Sequence, residues 1–178
     1  MKPAVIPVVG RKKSGKTTTI ESLVRDLTHR GYRVAVVKRI PEPDFTIDTE
    51  GKDTWRFAIA GARIVVGVSP DEVATIERRH TEDFSFDDIL EKCSGVDIVF
   101  LEGFRKLVAA DKLFPKIVVT KSAEDLAEAV EIFEPILAFS GSYNAERDYP
   151  TIPYVDVLRN PKKLADIVEE HIRKCNVT

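Results

Sequence analysis

Short apolar runs alternate with amphipathic stretches along most of the chain. Ala4–Val9 is continuously apolar and reads as a buried strand. Residues 17–30 follow a helical period, with Ile20, Leu23, Val24 and Leu27 on one face and Gly31 as the stop. Val34–Val37, Ile64–Val68, Val73–Ile76, Ile98–Leu101, Ile117–Val119 and Ile136–Phe139 read as further strands. The spacing predicts helices over 54–60, 86–93, 123–133 and 161–175, the last with Asn160 as N-cap and Pro161 at the first helical position. Residues 40–53, with Pro41, Pro43 and Gly51, read as an irregular loop. Strands written as unbroken Val/Ile runs are usually buried on both faces. The pattern therefore predicts an α/β fold with a mostly parallel central sheet between helical layers. In such sheets ligands bind at the carboxyl ends of the strands.

Length and composition narrow this picture. The 178 residues suit a single domain over 1–178, and 43% hydrophobic with 31% charged residues is globular composition. A net charge of −2 argues against a broad nucleic-acid footprint. No apolar run approaches the ~18 residues of a membrane span. Cys93 and Cys175 lie far apart without CxxC spacing. The expectation is a reduced, cytoplasmic protein without membrane or nucleic-acid partners.

Chemistry enters at Gly10-Arg11-Lys12-Lys13-Ser14-Gly15-Lys16-Thr17, which matches G-x-x-x-x-G-K-[ST] between a strand and a helix. This is the context that a P-loop NTPase fold requires. Gly10 and Gly15 permit positive φ, and successive N–H groups then line a concavity for anionic oxygens. The helix N-terminus adds roughly half a positive charge. Lys16 is suited to the β- and γ-phosphates and the Thr17 hydroxyl to Mg²⁺. For Arg11, Lys12 and Lys13 two roles stay open: contact with phosphate, in this chain or a neighbouring subunit, or charge compensation from solvent.

A phosphate loop needs an acid at the end of a neighbouring strand. Val96–Gly103 carries Asp97 and Glu102, roughly 15 Å apart at strand rise. Glu102 lies at the carboxyl end and is the candidate to hold a metal-bound water or orient an attacking one; Asp97 lies at the opposite edge. In the 40–53 loop, Asp48, Lys52 and Asp53 are equal candidates from spacing alone.

Further segments make the chain resemble a known family. Asp48-Thr49-Glu50-Gly51-Lys52-Asp53-Thr54-Trp55-Arg56, Ala60-Gly61-Ala62, Glu102-Gly103-Phe104-Arg105 and Pro115-Lys116-Ile117 follow the phosphate loop. Together they resemble the molybdopterin-guanine dinucleotide biosynthesis protein B family. The resemblance implies a small dimeric P-loop protein that binds GTP with Mg²⁺ and hydrolyses it weakly. It implies a role beside the guanylyltransferase that joins GMP to molybdopterin. It also implies that Gly10, Arg11, Lys12, Lys13, Ser14, Gly15, Lys16, Thr17 and Thr18 hold phosphates, with Asp48 and Glu102 near the metal. Two departures stand out. Family members often carry histidines where this chain has Arg39–Pro43. Arg11 occupies a position where related dimeric nucleotide hydrolases place a lysine that reaches across the dimer.

The base is less well specified. Many GTP-binders carry Asn-Lys-x-Asp after a late strand, and here the matching place reads Thr120-Lys121-Ser122-Ala123-Glu124-Asp125. Lys121 fits as a methylene stem against the base, but Ala123 stands where the acid belongs. Backbone N–H groups of Phe139–Ser142 are a second candidate for the base. The competing reading is an ATP-dependent small-molecule kinase. A kinase lid would be rich in arginine, and Arg147, Arg159 and Arg173 are isolated.

Overall fold

The computed structural model describes residues 2–81, 84–109 and 111–175. In chain order the elements are β1 (Ala4–Val9), α1 (Lys16–His29), β2 (Val34–Lys38), α2 (Asp53–Ile59), β3 (Ile64–Val68), β4 (Val73–Glu77) and α3 (Phe86–Lys92). They continue with β5 (Ile98–Glu102), α4 (Arg105–Ala109), β6 (Lys116–Thr120), α5 (Ala123–Ile132), β7 (Ile136–Gly141), β8 (Tyr154–Val155) and α6 (Pro161–Cys175). These fall into two compact units, one formed within 1–39 and 90–178, the other by 40–89.

The first unit is built on a six-stranded sheet in the order β2-β5-β1-β6-β7-β8, with every pairing parallel. This bears out the α/β expectation. β1 lies inside the sheet and is buried along its whole length, as its unbroken apolar run requires. Its alternate residues Ala4, Ile6 and Val8 join a core with Ile20, Leu23 and Leu27 of α1 and Leu164, Val168 and Ile172 of α6. β1 to β2 and β6 to β7 step in opposite directions across the sheet. Right-handed crossovers therefore put α1 and α5 on opposite faces. The result is the three-layer arrangement.

Register sets where chemistry can occur. Val8 is level with Glu102 and Lys38 with Glu102, while Val9 is level with Val118 and Thr120 with Gly141. The loop that leaves β1 at Gly10 thus shares one edge of the sheet with Glu102, Lys38, Thr120 and Gly141.

The second unit departs from the parallel pattern. β3 and β4 pair with each other as an antiparallel two-stranded sheet, joined through Ser69–Glu72. The Ser69 N–H donates to the Glu72 carbonyl at 2.8 Å and closes the turn. Only one side of this ribbon is covered. Val65 is buried, whereas Ile64, Val66, Val68 and Val73 are exposed. A Val-rich run bounded by a Ser-Pro-Asp turn can be half of a hairpin as readily as a buried parallel strand. α4 and β8, of five and two residues, do not appear in the hydrophobic pattern because they are too short to show a period.

α1 is tied to α6 at its end. Arg30 donates to Asp26 at 2.6 Å and Glu169 at 2.7 Å and lies 2.7 Å from Asp166. Arg30→Ala would leave these carboxylates without their shared cation. With about a fifth of the side chain exposed, screening trims the loss, and the expected cost is about 1–2 kcal/mol in urea unfolding. An unchanged midpoint would mean that the two helices are held by apolar packing alone.

Candidate functional site

The loop between β1 and α1 has the backbone of an anion cradle. Gly10 has φ +151° and Gly15 φ +101°, and Lys13 is a non-glycine at φ +60°. Gly10 lies so close to β6 that a Cβ would stand 2.3 Å from the Val119 carbonyl oxygen and 2.7 Å from Ser14 Oγ. Ser14 is buried and its hydroxyl has no partner. Gly15 caps α1, whose first turn leaves N–H groups without intrahelical acceptors. Thr17 and Thr18 belong to that turn. Lys16 folds back across the loop, donating from Nζ to the Gly10 carbonyl at 3.1 Å and the Arg11 carbonyl at 2.7 Å.

The electrostatics favour a polyanion. Burial lowers the pKa of Lys16; Glu102 opposes this, while the charges of Lys38, Arg105 and Lys121 push it down further. Three cations thus gather around one ammonium, and an anion of several charges would relieve their repulsion. Lys121 enters the site in this way, from the end of β6. Lys12 and Lys13 are exposed.

Glu102 ends β5 and is almost fully buried. Thr17 Oγ1 lies 3.2 and 3.3 Å from its two oxygens, and Lys38 Nζ lies 3.6 Å from Oε1. A carboxylate and a hydroxyl are hard oxygen donors of the kind that Mg²⁺ takes. Among the described residues no group of three or more His, Cys, Asp or Glu could hold a metal ion. The pair therefore fits an ion completed by phosphate and water oxygens, as Mg²⁺ prefers. A cleft of about 400 Å³ opens beside Thr17, Lys38 and Glu102. Asp97, at the other edge, is engaged by Arg33 through its backbone N–H at 2.7 Å and its guanidinium at 2.8 Å. Those hydrogen bonds hold the Asp97 carboxyl below the usual range.

Asp48 belongs to the second unit. Its Oδ1 accepts from the Thr49 N–H at 2.8 Å and from Thr54 Oγ1 at 2.9 Å, and its Oδ2 is buried without a partner. Arg11 is engaged with α5: Nη1 lies 2.9 Å from Asp125 Oδ1, and Nε donates to Glu128 Oε2 at 2.9 Å. This is a third role beside the two open in the sequence. Lys38, Asp125 and Glu128 were missed as partners of this edge. Glu124, Glu128 and Glu131 recur at helical spacing on α5, which carries no Lys or Arg of its own, and that is the available signal for Glu128.

The strand–loop–helix cradle, with Thr17 facing Glu102, now has a family context. Residues 5–140 match the family model of molybdopterin guanine dinucleotide synthesis protein B. The chain belongs to this family. It is 31% identical over 167 residues to the molybdopterin-guanine dinucleotide biosynthesis adapter protein of Haemophilus influenzae, covering 93% of this chain and 87% of that protein. A putative adapter protein of the same kind from Methanocaldococcus jannaschii is 31% identical over 144 residues, covering 80% of this chain and 57% of the relative. The crystal structure of a molybdopterin-guanine biosynthesis protein B is 30% identical, with a TM-score of 0.73 and coverage of 95% and 99%. Bacillus subtilis MobB, at 22% identity and a TM-score of 0.70, shares the fold. Membership in the protein B family bears out the resemblance carried by the Asp48–Arg56 and Glu102–Arg105 segments, and with it the P-loop nucleotide-binding fold.

Proposed function

We propose that this chain is a GTP-binding adapter in molybdenum cofactor biosynthesis, assisting a guanylyltransferase to join GMP to molybdopterin. The observation that carries the reading is the cradle of residues 10–17 with Thr17 against Glu102, in a chain of the protein B family. Gly10–Thr18 would wrap the phosphates, with Lys16 moving from two loop carbonyls to phosphate oxygens. Thr17 and Glu102 would hold Mg²⁺, which would supply charge neutralisation on the phosphate oxygens. Glu102 would orient a water, and hydrolysis of GTP would be weak, as suits a protein that positions nucleotide for another enzyme.

Guanine preference rests on the family. Asp125 is occupied: it is nearly fully buried, its N–H donates to Ser122 Oγ at 3.2 Å, and it meets Arg11. Base contacts would fall to the stem of Lys121 and the backbone after β7. Cytoplasmic operation as a homodimer is part of the same proposal. The exposed apolar face of Ile64, Val66, Val68 and Val73 supports a self-interface.

A thermal-shift panel tests the ligand. At 100 times its dissociation constant a nucleotide adds about 2.7 kcal/mol of stability. GTP with Mg²⁺ is expected to give the largest shift. A larger shift with ATP and Mg²⁺ would favour the kinase reading. Adding the chain to molybdopterin, GTP and the guanylyltransferase is expected to raise the dinucleotide yield; an unchanged yield would remove the adapter role.

A further inference from the structure

Glu128 divides its two oxygens between arginines from different elements. Oε2 accepts from Arg11, in the phosphate loop, through Nε at 2.9 Å and through Nη2. Oε1 accepts from Arg105 Nη2, on α4, three residues after Glu102. The two arginines are not equally held. Arg11 has a second carboxylate, Asp125 Oδ1 at 2.9 Å, and that acid is fixed by its place in the first turn of α5. Among the described residues Arg105 contacts Glu128 through one nitrogen and lies over the Phe133 ring at 5.5 Å.

Both partners in the Arg105–Glu128 pair are more than a third exposed, and a pair so exposed is weak. A guanidinium has five donors in a planar fork, and among the described residues Arg105 spends one of them, on Glu128. Phosphate oxygens accept such a fork in pairs and more strongly than a solvated carboxylate. Arg105 is also within reach of the cradle. It lines a cavity of about 10 Å³ together with Gly10, Arg11, Thr120 and Glu128, with room for about one water. Its charge is among those felt by Lys16.

We propose that Arg105 is a phosphate-contacting residue parked on Glu128, and that a bound nucleoside triphosphate takes it from that carboxylate while Arg11 stays with Asp125. This rests on the nucleotide-site reading above. Glu128 is then a positioning residue that competes with the phosphates for Arg105. α4 directly follows the Glu102-Gly103 turn, so the transfer couples nucleotide arrival to that helix.

A double-mutant cycle by titration calorimetry with GTP and Mg²⁺ tests this, using the full chain, Glu128→Gln, Arg105→Ala and the double variant. Glu128→Gln is expected to tighten binding about tenfold, and Arg105→Ala to weaken it about tenfold, the scale of one charge-assisted contact. In the Arg105→Ala background Glu128→Gln should then change the dissociation constant less than about twofold. Arg105→Lys, which keeps the charge without the fork, should recover only part of the loss. A Glu128→Gln effect of equal size in both backgrounds would be repulsion between the carboxylate and the ligand, and would overturn the proposal. So would a Glu128→Gln variant that melts earlier but binds as the parent does, since that is a structural strut. Absence of binding in the parent chain would overturn the nucleotide reading as well.

Discussion

Lys16→Ala is expected to weaken binding of GTP with Mg²⁺ by about 100-fold or more and to leave the fold intact. In the structure the ammonium bridges the carbonyls of Gly10 and Arg11, so it spans the mouth of the loop that would hold the β- and γ-phosphates. Charge-assisted contacts of this kind contribute about 1.5–3 kcal/mol each, and two of them lost together correspond to a factor of 100 or more. Two nearby cations are already engaged and do not replace it. Lys38 is spent on Glu102 and Arg11 on Asp125 and Glu128. Without nucleotide the substitution should be nearly silent, within about 1 kcal/mol, because the two carbonyls can turn to water. It even removes a charge that burial and three neighbouring cations disfavour. Calorimetry should therefore show lost binding while the urea midpoint stays put. A dissociation constant within threefold of the parent would mean that phosphate is held elsewhere.

That prediction uses a residue legible in the sequence, and the reason is local. Residues 10–17 are contiguous, so their spacing alone places glycines, amides and lysine around one anion. Glu102 was legible for a related reason. Four residues of strand separate it from Asp97, and the structure puts Glu102 against Thr17 and Asp97 against Arg33 at the other end. The Arg11–Glu128 and Arg105–Glu128 pairs were not legible. They join positions 117 and 23 residues apart, and only the crossover that lays α5 beside the loop brings them together. β3 and β4 were legible as strands but not as a separate antiparallel pair, because a valine run records burial on at least one face, not on both. Lys116 shows the converse. It is fully buried in a strand otherwise made of Ile, Val and Thr, and its ammonium is satisfied by the carbonyls of Asp111 and Glu134. No periodicity foretells a buried lysine whose partners are backbone oxygens from two loops.

Gly10→Ala should be the most damaging single-methyl change in the site, and Gly31→Ala gives its control. Both glycines have positive φ, +151° and +91°, so alanine is strained at each. They differ in what the new methyl meets. At Gly31, just past α1, nothing lies within 4 Å. The expected cost there is the backbone strain alone, about 1 kcal/mol. At Gly10 the methyl would stand 2.3 Å from the carbonyl oxygen of Val119, a backbone atom of β6 in the interior of the sheet. That oxygen cannot rotate aside as a side chain would. Relief requires β1 and β6 to separate or the loop to leave its cradle, and overpacking of this kind costs about 1–3 kcal/mol beyond the strain. Urea unfolding should therefore rank Gly10→Ala above Gly31→Ala by at least about 1 kcal/mol. If the loop yields instead of the sheet, the missing stability reappears as lost GTP binding, because the amides of residues 11–17 no longer converge. Equal unfolding midpoints together with parental nucleotide affinity for both variants would mean that Gly10 does not pack against Val119 in solution.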